Sequence, residues 1–297
     1  MGSALKQEGA TPHNIVVRKI PFDFSEKIDP VWHPTKPEWS HQLNGASVTM
    51  PHLEPFLIRT IREAMTQIED AGLKEDMRRF MAQEGQHYQN HERYNDILKT
   101  SGYPGLAQIE DEMAADYERF KAKSLKWRLA YTAGFETMTM GVTDWLITNR
   151  RNLFAGANPS VVSFVLWHMV EETEHKTVAF DAYQALFKGA YWARIWGVVC
   201  GSWHVVKFSK KSYVHMLKQD GRWGQLAARW RTFKTSLAFL SHVVPFLIGS
   251  MIPGHHPDRV NDPDWVHQWM DAYTNLPEDQ IPLLDTDHPD IPAQFTG

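Results

Sequence analysis

The chain has 297 residues, 43% of them hydrophobic, and a formal net charge of −4, which together suit one large globular domain and no nucleic-acid partner. Its single cysteine, Cys200, excludes an internal disulfide and a thiolate metal site.

The first half of the sequence predicts an arm followed by a helical bundle. Residues 1–48 carry scattered Pro, Asp and Trp without a helical period, which predicts an extended arm that wraps the domain. Its polar start lacks the apolar segment of a signal peptide, so we expect a cytoplasmic protein. Residues 49–190 change to a period of 3.6 and predict a four-helix bundle with one acidic peripheral helix. We expect helices at about 51–69, 74–98, 106–121 (the peripheral helix), 125–149 and 160–187.

The remaining sequence predicts apolar helices and a tail. Residues 191–256 suit additional helices packed on the bundle, and 257–297 form a tail rich in Pro and Asp. The stretches 191–208 and 236–253 approach the length of a membrane span, but Arg194, His204, His242 and Pro245 interrupt them. We therefore expect core helices, or a surface that meets lipid or another chain. Peripheral membrane contact and a homodimer both stay open.

Glutamates on apolar stripes are the main functional signal. Each bundle helix places one glutamate on its apolar face, where an unpartnered carboxylate is costly. In the first helix this residue is Glu54, because its rival Glu63 shares a solvated face with Arg59 and Gln67. The other three are Glu84, Glu136 and Glu172.

Two of these helices add a histidine three residues after the glutamate, on the same helix face. One Glu from each of two helices, plus Glu-x-x-His from each of the other two, is the ligand set of ferritin-like di-metal proteins. One such motif is weak evidence, whereas two on apolar faces with two further inward glutamates are hard to obtain by chance. The pattern therefore predicts an all-α, ferritin-like four-helix bundle with Glu84 and Glu172 as bridging carboxylates. The six expected metal ligands are Glu54, Glu84, His87, Glu136, Glu172 and His175.

Three further residues lie near this set. His168 stands four residues before Glu172 and is predicted as a seventh ligand, with a buried structural histidine as the alternative. His91, four residues after His87, is expected to orient a ligand without binding metal. Glu171 is expected to accept the distal N–H of His87, with a solvated charge as the alternative.

Three runs of the sequence resemble the bacterial family of predicted metal-dependent hydrolases: 50–56 (MPHLEPF), 83–91 (QEGQHYQNH) and 168–181 (HMVEETEHKTVAFD). Residues 21–24 (PFDF) and 256–258 (HPD) fit too, so the resemblance covers about 16–265. Leu53 stands where the family has glycine before the first glutamate. The ligand order is also similar to the p-aminobenzoate N-oxygenase group of di-iron oxygenases, which has a third histidine where His168 stands. That similarity is confined to the ligand pattern.

The oxygenase resemblance implies an O2-activating di-iron centre, our first expectation, with Mn or mixed Fe/Mn as alternative metals. Its partners would be O2, an electron donor and an apolar or aromatic small molecule. Phe56, Met81, Met140 and Trp167 near the ligands favour such a substrate, with core packing as the alternative. The hydrolase resemblance implies the second expectation, a binuclear hydrolase using Zn. A ferroxidase or iron-binding protein is the third.

Overall fold

The computed structural model describes residues 15–22, 24, 28–273 and 275–288, and these contain helices and turns but no strand. The prediction of an all-α helical bundle is therefore confirmed. The polar start of the chain, Asp23 of the early motif and the last nine residues lie outside the described residues. The helices are α1 Pro37–Ser47, α2 Met50–Met65, α3 Ala71–Thr100, α4 Leu106–Lys121, α5 Leu125–Thr148, α6 Arg150–Phe154, α7 Pro159–Glu174, α8 Val178–Phe187, α9 Tyr191–Gln219, α10 Leu226–Ser250 and α11 Asp264–Tyr273.

Local capping fixes where three bundle helices begin. The side chain of Asp70 accepts a hydrogen bond from the backbone N–H of Leu73 at the start of α3. Ser124 caps α5 in the same way, and Asn158 caps α7 just before Pro159. Such caps satisfy amides that the first turn leaves free, and proline suits the first helical position.

The bundle is built from α2, α3, α5 and the consecutive pair α7 and α8. Helix α2 packs along α3, α5 contacts α2 and α7, and α8 contacts α2, α3 and α5. Helix α4 lies outside this group against α2 and α9, which is the peripheral position predicted for the acidic segment. The apolar stripes of the four helices face one another, and the glutamates on those stripes therefore meet inside the bundle.

The predicted helix at 160–187 is two helices. Helix α7 ends at Glu174, a turn follows at residues 175–177, and α8 begins at Val178. No Gly or Pro marks this break, so the periodic pattern looked continuous. Tertiary contacts accompany the turn: Lys176 donates hydrogen bonds to the carbonyl of Val260 and to the carboxylate of Asp262.

The arm predicted over 1–48 is not extended throughout, because α1 occupies Pro37–Ser47. The sequence shows no apolar stripe there since the buried face of α1 is polar. Glu38 pairs with Arg231, and His41 lies 2.7 Å from the carboxylate of Asp220. Partners that are distant in sequence satisfy these polar side chains and make the helix burial possible.

The predicted tail over 257–297 also contains a helix. Helix α11 spans Asp264–Tyr273 and buries Trp265, Val266 and Trp269. It packs against α7, and the guanidinium of Arg18 lies 5.3 Å from the ring centroid of Trp269. The surrounding Pro and Asp residues concealed this short amphipathic segment.

Glycines bring α9 close to α5. A Cβ on Gly197 would lie 2.0 Å from the carbonyl oxygen of Ala130, and a Cβ on Gly134 would lie 2.3 Å from the backbone of Gly197. The two backbones can approach this closely only without side chains at these positions. The glycines in the 191–208 stretch therefore serve helix packing.

Helix α10 is the most exposed long helix of the described chain. It is the only described helix long and apolar enough to cross a membrane, by length and composition, and 11% of its most apolar window is buried. Leu237, Leu240 and Ile248 are among its exposed apolar side chains. The expectation that residues 191–253 do not span a bilayer stays a prediction.

Candidate metal centre

The four predicted glutamates lie together in the middle of the bundle. The exposed fractions of Glu54, Glu84, Glu136 and Glu172 are 1%, 1%, 2% and 3%. Both carboxylate oxygens of the first three form no hydrogen bond within the described part of the chain. Buried carboxylates without partners are costly unless cations neutralise them, so this arrangement fits bound metal.

The potential donor atoms form two adjoining groups. On one side, single donor atoms of Glu84, Glu136, Glu172 and His175 lie within 4.8 Å of one another. On the other side, the same is true of Glu54, Glu84 and His87, and of His87, His168 and Glu172. Glu84 and Glu172 thus belong to both sides, which is the position of carboxylates that bridge two metals.

A carboxylate orients His87. Its Nε2 lies 3.0 Å from Oε2 of Glu171, and Nδ1 forms no hydrogen bond among the described residues. Glu171 also accepts from the guanidinium of Arg18. An N–H on Nε2 therefore leaves the Nδ1 lone pair directed at Glu84 and Glu172, the geometry of a carboxylate–histidine–metal chain.

An amide orients His175. The amide nitrogen of Gln83 donates to the carbonyl of Val16 and to Glu174, so its oxygen accepts from Nδ1 of His175 at 2.8 Å. The Nε2 lone pair of His175 then faces three carboxylates. The Nε2 distances to oxygens of Glu172, Glu84 and Glu136 are 3.2, 3.3 and 3.6 Å.

A chain of hydrogen bonds sets the ring of His168. The amide nitrogen of Asn95 donates to the backbone carbonyl of Ser47, so Oδ1 of Asn95 accepts from the Ser47 hydroxyl. Ser47 must then accept from Nδ1 of His91, and Nε2 of His91 must accept from Nδ1 of His168, both at 2.8 Å. The Nε2 lone pair of His168 consequently faces Glu172 at 2.8 Å and Glu54 at 3.8 Å. This tautomer suits metal ligation by His168 and an orienting part for His91.

Burial and mutual interaction shift the pKa values of the four glutamates. Burial and then the charge of Glu172 raise the pKa of Glu54 and Glu84 well above the usual value, and that of Glu136 to about 7. Burial opposes ionisation of Glu172 too, but the neighbouring histidines, His175 foremost, lower its pKa. Burial would lower the pKa of His175, yet the carboxylates, led by Glu172, raise it. The raised pKa favours a proton on His175 among the carboxylates. A metal cation at this position would attract the same carboxylates more strongly.

Five further residues support the expected ligands and were not predicted from the sequence. Arg18 lies in the arm, where no period signals a role, and it pairs with Glu171 and Glu174. Gln83 and Glu174 adjoin the two Glu-x-x-His motifs, so their positions beside the ligands were an available signal. Ser47 is at the end of α1, which was not predicted, and Asn95 was assigned only to the inner face of its helix.

A cavity of about 1080 Å³ adjoins the centre on the side of α9 and α10. His168 and His91 line its inner part, while the other six expected ligands do not border it. The cavity is also not bordered by any of the four side chains that suggested an apolar substrate, which are Phe56, Met81, Met140 and Trp167. Trp167 instead packs against the ring of His87, with centroids 5.1 Å apart.

The donor set fits divalent transition metals. Carboxylate and imidazole together suit Zn, Mn and Fe, whereas Ca and Mg prefer oxygen ligands alone. The residues of the described chain therefore agree with a metal-dependent protein and leave the metal unassigned.

A model of the family described as "predicted metal-dependent hydrolase" matches residues 16–261. The match spans both Glu-x-x-His motifs and most of the chain. No curated protein and no solved structure matches the sequence.

This match corrects the functional expectation. From the sequence we expected an O2-activating di-iron oxygenase first and a hydrolase second, and the family match supports the second. The first expectation was wrong because it rested on the position of His168, and carboxylate–histidine ligands serve hydrolytic and redox metal pairs alike. The length of the match, most of the 297 residues, shows that the chain belongs to the predicted metal-dependent hydrolase family.

Proposed function

We propose that the protein is a binuclear metal-dependent hydrolase acting on an apolar substrate. The observation that carries this proposal is the pair of adjoining donor groups that share Glu84 and Glu172. The family match supports the reaction class.

The ligands divide between two positions. Glu54 and His87 would hold one metal, and Glu136 and His175 would hold the other. Glu84 and Glu172 reach both positions and would bridge them. His168, with its lone pair on Nε2, would complete the position of Glu54 and His87. When bound, the metal pair supplies Lewis acidity and lowers the pKa of water so that hydroxide is available near neutral pH.

The protein residues orient these ligands and exclude water. Glu171, which accepts a hydrogen bond from Arg18, also accepts the Nε2 proton of His87, and Gln83 accepts the Nδ1 proton of His175. These contacts come from α3, α7 and the arm, so folding fixes the ligand tautomers before metal binds. The four glutamates are at most 3% exposed.

The cavity gives the direction of substrate approach. Of the seven expected ligands, His168 alone borders it among the residues that the structure describes. A substrate in the cavity would therefore meet the centre at the position of His168 and Glu54. Because apolar side chains dominate the walls, we propose an apolar acyl compound as the substrate.

Hydrolysis is tested on protein loaded separately with Zn, Mn and Fe(II) under anaerobic conditions. We expect metal-dependent cleavage of p-nitrophenyl esters with at least one metal, and Glu84→Ala should abolish it together with one metal equivalent. Glu63→Ala is the matched control, because Glu63 is on the outer face of the same bundle and pairs with Arg128. Two bound metals without cleavage of acyl or phosphoryl esters would rule out the hydrolase.

A further inference from the structure

We propose that the cavity is the binding site for a long aliphatic acyl chain that the enzyme takes from the surface of a lipid bilayer. The proposal rests on the hydrolase proposed above, whose substrate class it specifies. The scissile acyl group would lie at His168, and the chain would extend through the cavity towards α9 and α10.

The size and lining of the cavity fit such a chain. Its volume of about 1080 Å³ lies at the upper end of ligand pockets, which span roughly 300–1,000 Å³. No Asp or Glu of the described chain borders it, and the inner walls are formed by side chains such as Phe135, Met138 and Phe164. Val142 and Val165 keep accessible surface although they lie on bundle helices, since they face this space. An apolar, elongated ligand gains most from these walls.

The opening of the cavity lies on an exposed apolar surface. Six large apolar residues both line the cavity and remain exposed to at least 42%, so the interior and the outer surface are continuous. They are Val199, Trp203, Phe233, Leu240, Val244 and Ile248. Exposed apolar surface of this extent indicates an interaction site. An apolar ligand could therefore move from a partner into the cavity without crossing water.

The charges around the opening identify a bilayer as the partner. Lys207, Lys210 and Arg229 line the cavity and are exposed, on a chain whose net charge is −4. A rim of basic residues around apolar and Trp side chains matches anionic headgroups above an acyl interior. A polar protein partner would not favour so many exposed apolar side chains on α9 and α10.

Binding of the chain is measured with the methyl ester of cis-parinaric acid, whose fluorescence rises in apolar surroundings. Metal-loaded protein should bind it, and Val165→Trp or Val142→Phe should weaken binding by about tenfold or more, because each fills the cavity. Leu283→Trp is the matched control, since Leu283 is exposed and does not border the cavity. The acyl-chain site would be overturned if the Val165→Trp and Val142→Phe variants bound the parinarate ester as tightly as the control does.

A second measurement separates this proposal from the hydrolase proposal. The ratio of kcat/KM for p-nitrophenyl palmitate to that for p-nitrophenyl acetate should fall about tenfold in the filled variants. A ratio that is unchanged while both esters are cleaved would overturn the acyl-chain site and leave the hydrolase standing. Binding of parinarate ester without cleavage of either ester would instead support the cavity and contradict the hydrolase.

The bilayer is tested by sedimentation with vesicles. Full-length protein should pellet with phosphatidylglycerol vesicles and much less with phosphatidylcholine. Combined Trp203→Ser, Phe233→Ser and Ile248→Ser should return it to the supernatant, as should Lys207→Glu with Lys210→Glu. The bilayer would be overturned as the source of the ligand if the parent protein stayed in the supernatant and formed a dimer that the Trp203, Phe233 and Ile248 variant converts to a monomer. This surface would then be an interface between two copies of the chain.

Discussion

At the scale of the residue, each histidine proposed as a ligand has a hydrogen-bond partner that fixes the position of its proton. Glu171 does this for His87, Gln83 for His175, and His91 for His168. Each contact leaves the other ring nitrogen facing the carboxylates. The metal affinity of the centre should therefore depend on residues that do not touch metal.

Glu171→Gln should weaken metal binding. The change replaces the carboxyl group that accepts the Nε2 proton of His87 with a weaker acceptor, and metal affinity should fall about 10–100-fold. Competition with a chromophoric chelator measures the change. Glu118→Gln, on the exposed surface of α4, should bind as the parent does. If both variants match the parent, Glu171 does not orient the ligand.

The metal-free protein should lose stability as pH rises. The folded-state pKa of Glu136 is about 7 and that of Glu171 about 8, raised in both cases mainly by burial, whereas unfolded glutamate titrates near 4.5. Between about pH 4.5 and 8 the folded state therefore binds more protons than the unfolded state. The stability that these two groups contribute is complete below about pH 4.5 and is lost as the pH rises to about 8. Thermal unfolding after metal removal should show this slope, and metal-loaded protein should not. A rising melting temperature across that window would contradict the assigned burial of these acids.

At the scale of the element, helix contacts decide where the cavity lies. The close crossing of α5 and α9 seals one side of the bundle. Helix α10 contacts α5 and α1 more sparsely and leaves the cavity beneath it. The position of α9 thus determines whether the cavity keeps its walls.

Gly197→Ala should destabilise the protein. Its Cβ would lie 2.0 Å from the carbonyl oxygen of Ala130, so α9 must shift, at a cost of about 1–3 kcal/mol. Gly85→Ala is the matched control, because a Cβ there meets nothing within 4 Å and alanine favours helix by about 1 kcal/mol. Denaturant unfolding measures both. A Gly197 variant as stable as the Gly85 variant would show that the crossing tolerates separation.

At the scale of the whole molecule, the proposed metal centre would couple metal binding to folding. The proposed ligands come from α2, α3, α5 and α7, with His175 in the turn after α7, so metal bound there would tie together four helices of the bundle. Metal bound only by the folded state must raise the free energy of unfolding.

Metal removal should lower the melting temperature. Free metal at about 100 times its Kd contributes about 2.7 kcal/mol, which corresponds to several degrees for a chain of this size. Metal analysis before removal should give close to two equivalents per chain, and the melting temperature should recover when metal is added back. Equal melting temperatures with and without chelator would contradict a centre inside the bundle.

Local sequence patterns were enough to predict the all-α class, the main helices of the bundle and the charged residues on their inner faces. It could do so because helical periodicity and the i, i+3 spacing are local properties. Glu54, Glu84, Glu136 and Glu172 stood out since charge on an apolar stripe is unusual. Tertiary structure alone decided that α1 is a helix, because its polar face is satisfied by residues far along the chain. It also decided the break after Glu174, the partners that set the histidine tautomers, and the cavity between α9, α10 and the bundle. Those features depend on which distant surfaces meet, and that information is spread over the whole chain rather than held in any one segment.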